Sequence, residues 1–269
     1  MASIPSFKHS ELATMAGTAA RPNEDYAAAG PDWAIVLDGA THFDGVDTGC
    51  IHDVPWLVSH LAAALIGQLI TSGKNLSETL ASAIEATCTA HADSCDLTNP
   101  DSPSSTVAMV RAGETVIEYL VLGDSPVIFQ TSTSITVVAD DRVDRLQPSG
   151  RPYTRAVVRS KRNVAEGFWV ASTNPKAAYE AISGTVDRPT RMALLTDGVT
   201  RLIGRYGYEW QDIFSILDRD GPAGLIRQVR EAELKSPPPA HGSGKQHDDA
   251  TAVYIQVSLS VINEYQRAA

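Results

Sequence analysis

Four acidic positions stand where apolar segments of the sequence end or begin. Asp38, Asp124 and Asp197 each close an apolar run beside a glycine, and Asp249 precedes a further run. Each one alone is explained by a turn, because Asp-Gly and Gly-Asp are common turn sequences. Taken together, separated carboxylates at strand ends with no Cys or His pattern near them predict a cation site built from oxygen ligands. Such a site favours Mg²⁺ or Mn²⁺ over Zn²⁺ or Cu²⁺.

A charged pentapeptide, Arg21-Pro22-Asn23-Glu24-Asp25, lies upstream of these acids. It places a guanidinium, whose planar fork matches two phosphate oxygens, beside two further carboxylates. On its own, a solvated charged loop is the more common explanation of such a segment. Arg21 is therefore a candidate phosphate ligand, and the pentapeptide by itself is a weak indication.

The overall charge disfavours several classes of partner. The 269 residues carry 22 Lys and Arg against 32 Asp and Glu, a net charge of −10 at pH 7, which opposes binding to nucleic acid or anionic lipid. The longest apolar run, residues 61–66, is too short to span a membrane, and the N-terminal residues do not resemble a signal peptide. We therefore expect a cytoplasmic protein with no nucleic-acid or membrane partner.

The cysteines give no sign of a cross-link. Cys50, Cys88 and Cys95 form no Cys-x-x-Cys pair, and no His lies at zinc-finger spacing from them. The sequence therefore predicts neither a disulfide framework nor a structural zinc site, which fits a reducing compartment.

Apolar periodicity predicts the elements that must hold the acids in place. Continuous apolar runs at 33–37 and 192–196 predict strands buried on both faces, each leading into Asp-Gly. Asp53, and Asn75 with Glu78, are positioned to cap two consecutive helices. The remaining predicted elements are an antiparallel meander over 106–110, 115–122, 127–130 and 135–139, a strand at 167–171, a helical piece at 176–182, helices at 209–218 and 222–233, and a last strand at 251–257.

The predicted strands and helix pairs occur in separate blocks along the chain. This separation favours an α+β layered fold over alternating βαβ units. The most loop-like segment, 237–247, is followed by a strand too short to fold alone, so no linker divides the chain. We therefore predict a single domain over residues 1–269.

The order of the motifs resembles that of the type 2C metal-dependent protein serine/threonine phosphatases, the PPM-type family, and is most similar to bacterial members. The motifs that carry the resemblance, over about residues 17–257, are Arg-x-Asn-Glu-Asp at 21–25, Asp-Gly at 38–39, and residues 104–108, 123–125, 195–198 and 248–251. The resemblance implies an α+β fold, a four-layer αββα sandwich of two antiparallel β-sheets flanked by helix pairs. It also implies a Mn²⁺ or Mg²⁺ site with two ions, and in bacterial members a third, at one end of the sandwich.

The resemblance also implies a role for each matching residue. Asp38 would bridge the two ions. The other implied ligands and supports are the Gly39 carbonyl on one ion, Asp197 and Asp249 on the other, Glu24 and Asp25 acting through water, Asp124 on the third ion, and Arg21 on the phosphate. The implied reaction is in-line attack on phosphorus by a hydroxide that bridges the ions, with no covalent enzyme intermediate.

The chain departs from the family pattern around the first Asp-Gly. Many eukaryotic members carry a His there as the proposed general acid, where this chain has Ala40, and bacterial members often lack that His as well. His42 is the nearest substitute, although a loop His is more often a solvated surface residue. Residues 43–47 replace the usual Gly-Gly, and Pro126 and Ala250 stand where Arg and Asn are common. These changes bear on access to the ions and on the substrate more than on metal binding.

Three other functions compete with a phosphoprotein phosphatase. Residues 123–125 also match the nucleophile motif of GDS-type esterases, but no Asp-x-x-His supplies the base for Ser125. A non-catalytic phosphatase-like binding module, which the altered loop would suggest, does not require the full set of acids with Arg21. A small-molecule phosphomonoesterase would use the same site. We predict a metal-dependent phosphatase acting on phosphoserine or phosphothreonine, with a phosphorylated protein or a small phosphate ester as partner.

Overall fold

Ten strands form two antiparallel sheets in the computed structural model, which describes residues 3–43, 45–146, 154–236 and 245–261. The first sheet has the order β1-β10-β9-β6-β7, and the second β2-β3-β4-β5-β8. The strands are β1 Ser3–Met15, β2 Asp25–Ala29, β3 Trp33–Asp38, β4 Val107–Ala112, β5 Ile117–Leu122, β6 Val127–Gln130, β7 Ile135–Val138, β8 Ile182–Val186, β9 Arg191–Leu195 and β10 Ala250–Val261.

Helices cover the outer face of each sheet. The helices are α1 Val54–Thr71, α2 Leu76–His91, α3 Arg142–Arg145, α4 Arg155–Lys161, α5 Asp197–Tyr206 and α6 Trp210–Lys235, with a 3-10 helix at Pro175–Glu180. The α1–α2 pair packs on the second sheet and the α5–α6 pair on the first. This is the expected four-layer αββα arrangement, and the α+β prediction is confirmed.

The central strands are apolar throughout because both of their faces are buried. In β3, Ile35 and Leu37 pack under α1 and α2, whereas Ala34 and Val36 face the other sheet. Successive side chains of a strand point to opposite faces, so a strand between two cores needs a continuous apolar run. The same rule explains why residues 192–195 of β9 are apolar. Both strands end where the chain leaves the two cores, at Asp38 and just before Asp197.

The caps predicted for the first helix pair are present. The Asp53 carboxylate accepts a hydrogen bond from the Trp56 backbone N–H at 2.9 Å, and Asn75 and Glu78 form a reciprocal capping box at the start of α2. Helix α1 has the length and hydropathy of a membrane span. Seven of its residues are buried in the protein against α2 and the sheet, and core helices commonly meet that criterion.

Two sequence predictions are corrected by the structure. The strands predicted as one meander form two separate pairs, β4–β5 and β6–β7, because Gly123, at φ +84°, turns the chain from β5 in one sheet to β6 in the other. Residues 167–171 make only isolated bridges rather than a strand. The helical piece near 176–182 is present as the 3-10 helix, and the two predicted late helices are present as the halves of α6, which meet at a kink at Gly221. Strands β1, β2 and β8 and helices α3, α4 and α5 were not predicted.

Candidate active site

The β2–β3 pair places the first acids at one end of the sandwich. Asp25 begins β2 and lies directly opposite Asp38, which ends β3. The Gly39 backbone N–H then donates to the Glu24 carbonyl at 3.1 Å. The antiparallel pairing of β2 with β3 thus places Asp25 opposite Asp38 and brings Glu24 beside them. For this reason the pentapeptide and the first Asp-Gly belong to one site.

Asp249 is anchored by backbone donors of the N-terminal segment. Its two carboxylate oxygens accept from the Gly17 N–H and the Glu24 N–H, each at 2.7 Å. Because Asp249 directly precedes β10, and β10 pairs with β1 along its whole length, the sheet register sets the position of this acid. The last predicted ligand is therefore brought to the same end of the sandwich as Asp38.

Asp197 reaches the site from the start of α5, where β9 ends. Its backbone N–H donates to Oδ2 of Asp38 at 3.3 Å. Gly198 follows, and a Cβ added there would lie only 1.9 Å from the Asp249 carbonyl oxygen. A glycine is required at this position because the start of the helix and the Asp249 backbone approach so closely.

Asp124 follows the turn that joins the two sheets. The Gly123 N–H donates to the buried carboxylate of Asp140 at 3.2 Å, and Arg142 pairs with the same carboxylate at 2.6 Å. This anchoring holds the turn and with it Asp124, whose charge is felt by Asp38. Asp140 and Arg142 gave no signal in the sequence, because they contribute through a tertiary contact.

Burial of these carboxylates close to one another raises their pKa values. Burial, and then the charges of Asp25, Asp197 and Asp124, raise the pKa of Asp38 well above its usual range. Burial is also the main cause that raises the pKa of Asp25 and that of Asp124 to about 7. Burial and then the charge of Asp248 raise the pKa of Asp197, which nevertheless keeps solvent exposure at the mouth of the site. The protein thus gathers negative charge that its own groups leave largely uncompensated.

The residues present fit divalent cations. Oδ1 of Asp25 is buried and has no hydrogen-bond partner among the described residues, which is costly unless another group satisfies it. The gathered donors are carboxylate and carbonyl oxygens, the ligands of Mg²⁺ and Mn²⁺. On this chemistry Asp38, the Gly39 carbonyl, Asp197 and Asp249 would hold two ions, with Asp25 and Glu24 beside them.

A cleft of about 330 Å³ adjoins the acids and carries positive charge. Arg21 lines it and makes no ion pair or hydrogen bond with the described part of the chain, so its five donors are free for a ligand. Lys245 lines the same cleft, and its Nζ lies 2.8 Å from the Thr41 hydroxyl and 2.8 Å from Asp248. Sequence reasoning missed Lys245, because it stands in a loop with no recognisable spacing.

A buried network of charged side chains supports the Asp248–Asp249 segment. Arg201 of α5 donates to Glu233 of α6 at 2.8 Å and to Asp248 at 3.1 Å. Arg230 also contacts Glu233, at 2.9 Å, and donates to the Asp248 carbonyl at 2.6 Å. Glu233 is 2% exposed, and a buried carboxylate destabilises the fold unless positive charge is paired with it. No local sequence pattern predicts this network, because its members lie 32 and 47 residues apart.

The neighbouring loop supplies no obvious proton donor to the leaving group. Ala40 has no ionisable group, and His42 is half-buried rather than solvated, with a buried Nε2 that has no partner among the described residues. Burial, and then the charge of Arg162, lower the pKa of His42. The expectation of a solvated surface histidine is therefore wrong. Because the lowered pKa favours the neutral ring, little imidazolium is present at neutral pH to donate a proton.

Ser125 is not placed as a nucleophile. It is 0% exposed, and its hydroxyl is hydrogen-bonded to the hydroxyl of Thr106 at 2.7 Å. Thr106 in turn accepts from the Asp38 N–H at 3.3 Å. Ser125 thus braces the end of β3, which argues against an esterase that uses it to attack an ester.

Carboxylates gathered at one end of a two-sheet sandwich, beside a cleft that presents Arg21 and Lys245, define a metal-dependent hydrolase of phosphate esters. The fold is similar to the serine/threonine phosphatase PstP/Ppp of Mycobacterium tuberculosis (TM-score 0.61, 18% identity, 96% of this chain and 100% of that chain covered). It is also similar to the PPM Ser-Thr phosphatase MsPP of Mycobacterium smegmatis, solved with cacodylate (0.58, 17%, 93% and 99%), and to the catalytic domain of PstP with two manganese ions (0.60, 16%, 94% and 99%). At these identities the likeness shows a shared fold.

The family follows from the sequence itself. The profile of the protein phosphatase 2C family matches residues 17–234, which is most of the chain. A search of curated proteins with the whole chain found no match. The chain belongs to the protein phosphatase 2C family. It is a metal-dependent phosphoprotein phosphatase that uses Mn²⁺ or Mg²⁺, and the fold, reaction class and cofactor implied by the motif order are confirmed.

Proposed function

We propose that this chain hydrolyses phosphoserine and phosphothreonine in proteins at the end of the sandwich where Asp38, Asp197 and Asp249 meet. The observation that carries the proposal is that these acids converge beside the Arg21 guanidinium, which has no ion-pair partner among the described residues. Burial and neighbouring carboxylates raise the pKa of Asp38 and of Asp197. A structural cluster would pair its acids internally, whereas this one is completed by cations and by an anionic ligand.

The chain's own residues have separate tasks in this reaction. Arg21 binds phosphate oxygens through its planar fork, and Lys245 adds a second positive charge at the cleft. The carboxylates hold the cations that the family uses; when bound, these ions supply a water that ionises near neutral pH and positive charge against the phosphate. The Asp249 anchor fixes the acids before substrate arrives, so little reorganisation is needed during the reaction.

The proposal is tested by Mn²⁺-dependent phosphate release from a phosphothreonine peptide and from p-nitrophenyl phosphate, with a chelator control. The Asp38→Asn, Asp249→Asn double variant should lose turnover by several orders of magnitude. Asp187→Asn is the matched control, because Asp187 is an exposed acid that precedes β9, whereas Asp197 follows the other end of that strand, and this variant should turn over like the unmodified protein.

The outcomes separate the competing functions. Faster turnover of the peptide than of the small ester supports a protein substrate, and the reverse ratio favours a small-molecule phosphomonoesterase. Binding of Mn²⁺ by the unmodified protein without turnover of either substrate would contradict the enzyme and favour a binding module. The single-domain organisation over residues 1–269 and the cytoplasmic location stay predictions.

A further inference from the structure

Two cysteines and two histidines converge at the open end of the α1–α2 hairpin, where α1 begins and α2 ends. Cys50 and His52 lie in the loop before α1, His91 is the last residue of α2, and Cys95 lies in the turn that follows. One ligand atom from each lies within 4.8 Å of every other. No spacing in the sequence predicted a zinc site, yet the fold brings four possible zinc ligands together. The local pairs are Cys-x-His and His-x3-Cys, and the whole hairpin separates them, which hides the pattern from a spacing search.

The distances among these atoms fit a tetrahedral metal site. Zinc bonds of about 2.3 Å to sulfur and about 2.0 Å to nitrogen place sulfur and nitrogen ligands about 3.5 Å apart in a tetrahedron. The observed distances are 3.6 Å from Cys50 Sγ to His52 Nδ1, 3.5 Å from Cys50 Sγ to His91 Nδ1, and 3.4 Å from Cys95 Sγ to His52 Nδ1. The two sulfurs are 3.0 Å apart, shorter than the roughly 3.8 Å across zinc and much longer than a disulfide bond of about 2.05 Å.

The surrounding side chains hold the histidines in this arrangement. The His52 ring stacks on Trp56 with centroids 3.8 Å apart, which fixes the direction of its Nδ1. His91 is 3% exposed, and its ring is held in the core with Nδ1 3.5 Å from Cys50 Sγ. The packing thus directs the ligand atoms of both histidines at the thiols.

Both thiols would bind the ion as thiolates, because the thiolate is the form that binds metal. Each would lose its proton when the cation arrives, since a coordinated thiol is deprotonated outright.

We propose that Cys50, His52, His91 and Cys95 bind one structural Zn²⁺ ion. Four protein ligands of Cys2His2 type close the coordination sphere, so the ion has a structural rather than a catalytic role. Binding releases the two thiol protons and involves no change of oxidation state. The site is independent of the Mn²⁺ or Mg²⁺ centre, because its soft sulfur ligands suit zinc and the carboxylate cluster suits hard cations.

The ion would fasten the loop that leaves the catalytic centre. Residues 40–53 run from the first Asp-Gly to α1, and they already contact the segment after α2, where the Asp96 N–H donates to the Gly49 carbonyl at 2.7 Å and the Asn99 side chain to the Asp47 carbonyl at 3.2 Å. Zinc would join the same two segments by four strong bonds. This loop is the one that departs from the family pattern, and zinc binding would hold its conformation despite the altered sequence.

The test uses the full chain carrying Asp38→Asn and Asp249→Asn, so that the carboxylate site does not compete for metal. We expect the reduced protein to retain one equivalent of zinc by elemental analysis after dialysis. Replacing that zinc with Co²⁺ should give the intense thiolate-to-cobalt absorption and the visible bands of a tetrahedral site. Adding Cys50→Ser and Cys95→Ser should abolish both signals.

Cys88→Ser is the matched control, because Cys88 lies on α2 outside the cluster and contacts backbone carbonyls of residues 172 and 173. It should keep the zinc and the cobalt spectrum. If the serine variant does not fold, the cobalt spectrum of the protein with all its cysteines still tests the proposal. A reduced protein that retains no zinc and gives no thiolate-to-cobalt absorption overturns the proposal. So does an intact mass lower by two hydrogen atoms in protein purified without reductant, with no metal bound, which would show a Cys50–Cys95 disulfide.

Discussion

The buried Glu233 should support both the stability of the protein and its metal affinity. Glu233→Gln keeps the shape of the side chain and removes the charge that faces Arg201 and Arg230, at 2.8 and 2.9 Å, and His247, at 2.6 Å. The side chains of Arg201 and Arg230 are only 5% and 17% exposed. The substitution therefore leaves positive charge buried with too little compensation.

The expected loss of stability follows from this geometry. Breaking a buried ion pair by removing one partner costs about 3–5 kcal/mol. Arg201 keeps Asp248 as a second partner at 3.1 Å, and a glutamine oxygen still accepts one hydrogen bond, so we expect the lower end, about 3 kcal/mol. For a chain of this size each kcal/mol lowers Tm by about 2–4 °C, which gives a decrease of about 6–12 °C.

The metal affinity should fall for a separate reason. Arg230 also holds the Asp248 carbonyl at 2.6 Å, next to Asp249. Loss of its carboxylate partner loosens this backbone, and removal of such supporting contacts weakens metal binding about 10–100-fold. The assays are thermal unfolding of the metal-free protein and Mn²⁺ titration by calorimetry.

Glu231→Gln is the matched control, because Glu231 lies on the same helix and, among the described residues, makes only an exposed pair with Lys235 at 3.7 Å. Such pairs contribute little, so its Tm and Mn²⁺ affinity should match those of the unmodified protein. Equal Tm values for the Glu233 and Glu231 variants would refute the stability argument. A destabilised Glu233 variant with unchanged Mn²⁺ affinity would refute the supporting role for Asp249.

Two further properties of the metal site can be measured. Burial raises the pKa of Asp25 and Asp124 from 3.8 to about 7, so the metal-free folded chain binds more protons than the unfolded chain between about pH 4 and pH 7, and its stability should fall as the pH rises through that window. The Mn²⁺ affinity should rise over the same window, because the ion requires ionised carboxylates, and a pH-independent affinity in calorimetry would contradict this. Gly198→Ala should weaken Mn²⁺ binding at least about tenfold, because its Cβ would displace the Asp249 backbone. Gly204→Ala in the same helix meets open space, should be stabilised by up to about 1 kcal/mol, and should bind Mn²⁺ normally; equal affinities of the two variants would exclude the steric explanation.

Local patterns in the sequence predicted the parts of the fold that depend on local rules. Strand β3 was recognisable because both of its faces are buried, and α2 because Asn75 and Glu78 form a capping box. Asp38, Asp124, Asp197 and Asp249 were recognisable because each follows or precedes an apolar strand. The motif order then united them, which no single turn sequence could do.

The features that escaped prediction depend on contacts between distant segments. Strand β1 is largely exposed and is paired only with β10, so its sequence lacks the alternation that marks a half-buried strand. Lys245 enters the cleft from a loop, and the partners Arg201 and Glu233 lie on different helices. The Cys2His2 cluster was missed because its two halves are separated by the α1–α2 hairpin. Chain topology, rather than local spacing, creates each of these features.

The pairing of β1 with β10 also determines when the enzyme can become active. The hydrogen bond from Gly17 to Asp249 joins residues 232 positions apart, and translation proceeds from the N-terminus. A nascent chain therefore carries β1 and most of the carboxylates long before the strand that aligns them has left the ribosome. Until then the edge of β9 that β10 later covers is open to pairing with other chains. The metal site is thus incomplete until β10 has been synthesised, and the sheet keeps an unpaired edge for that time.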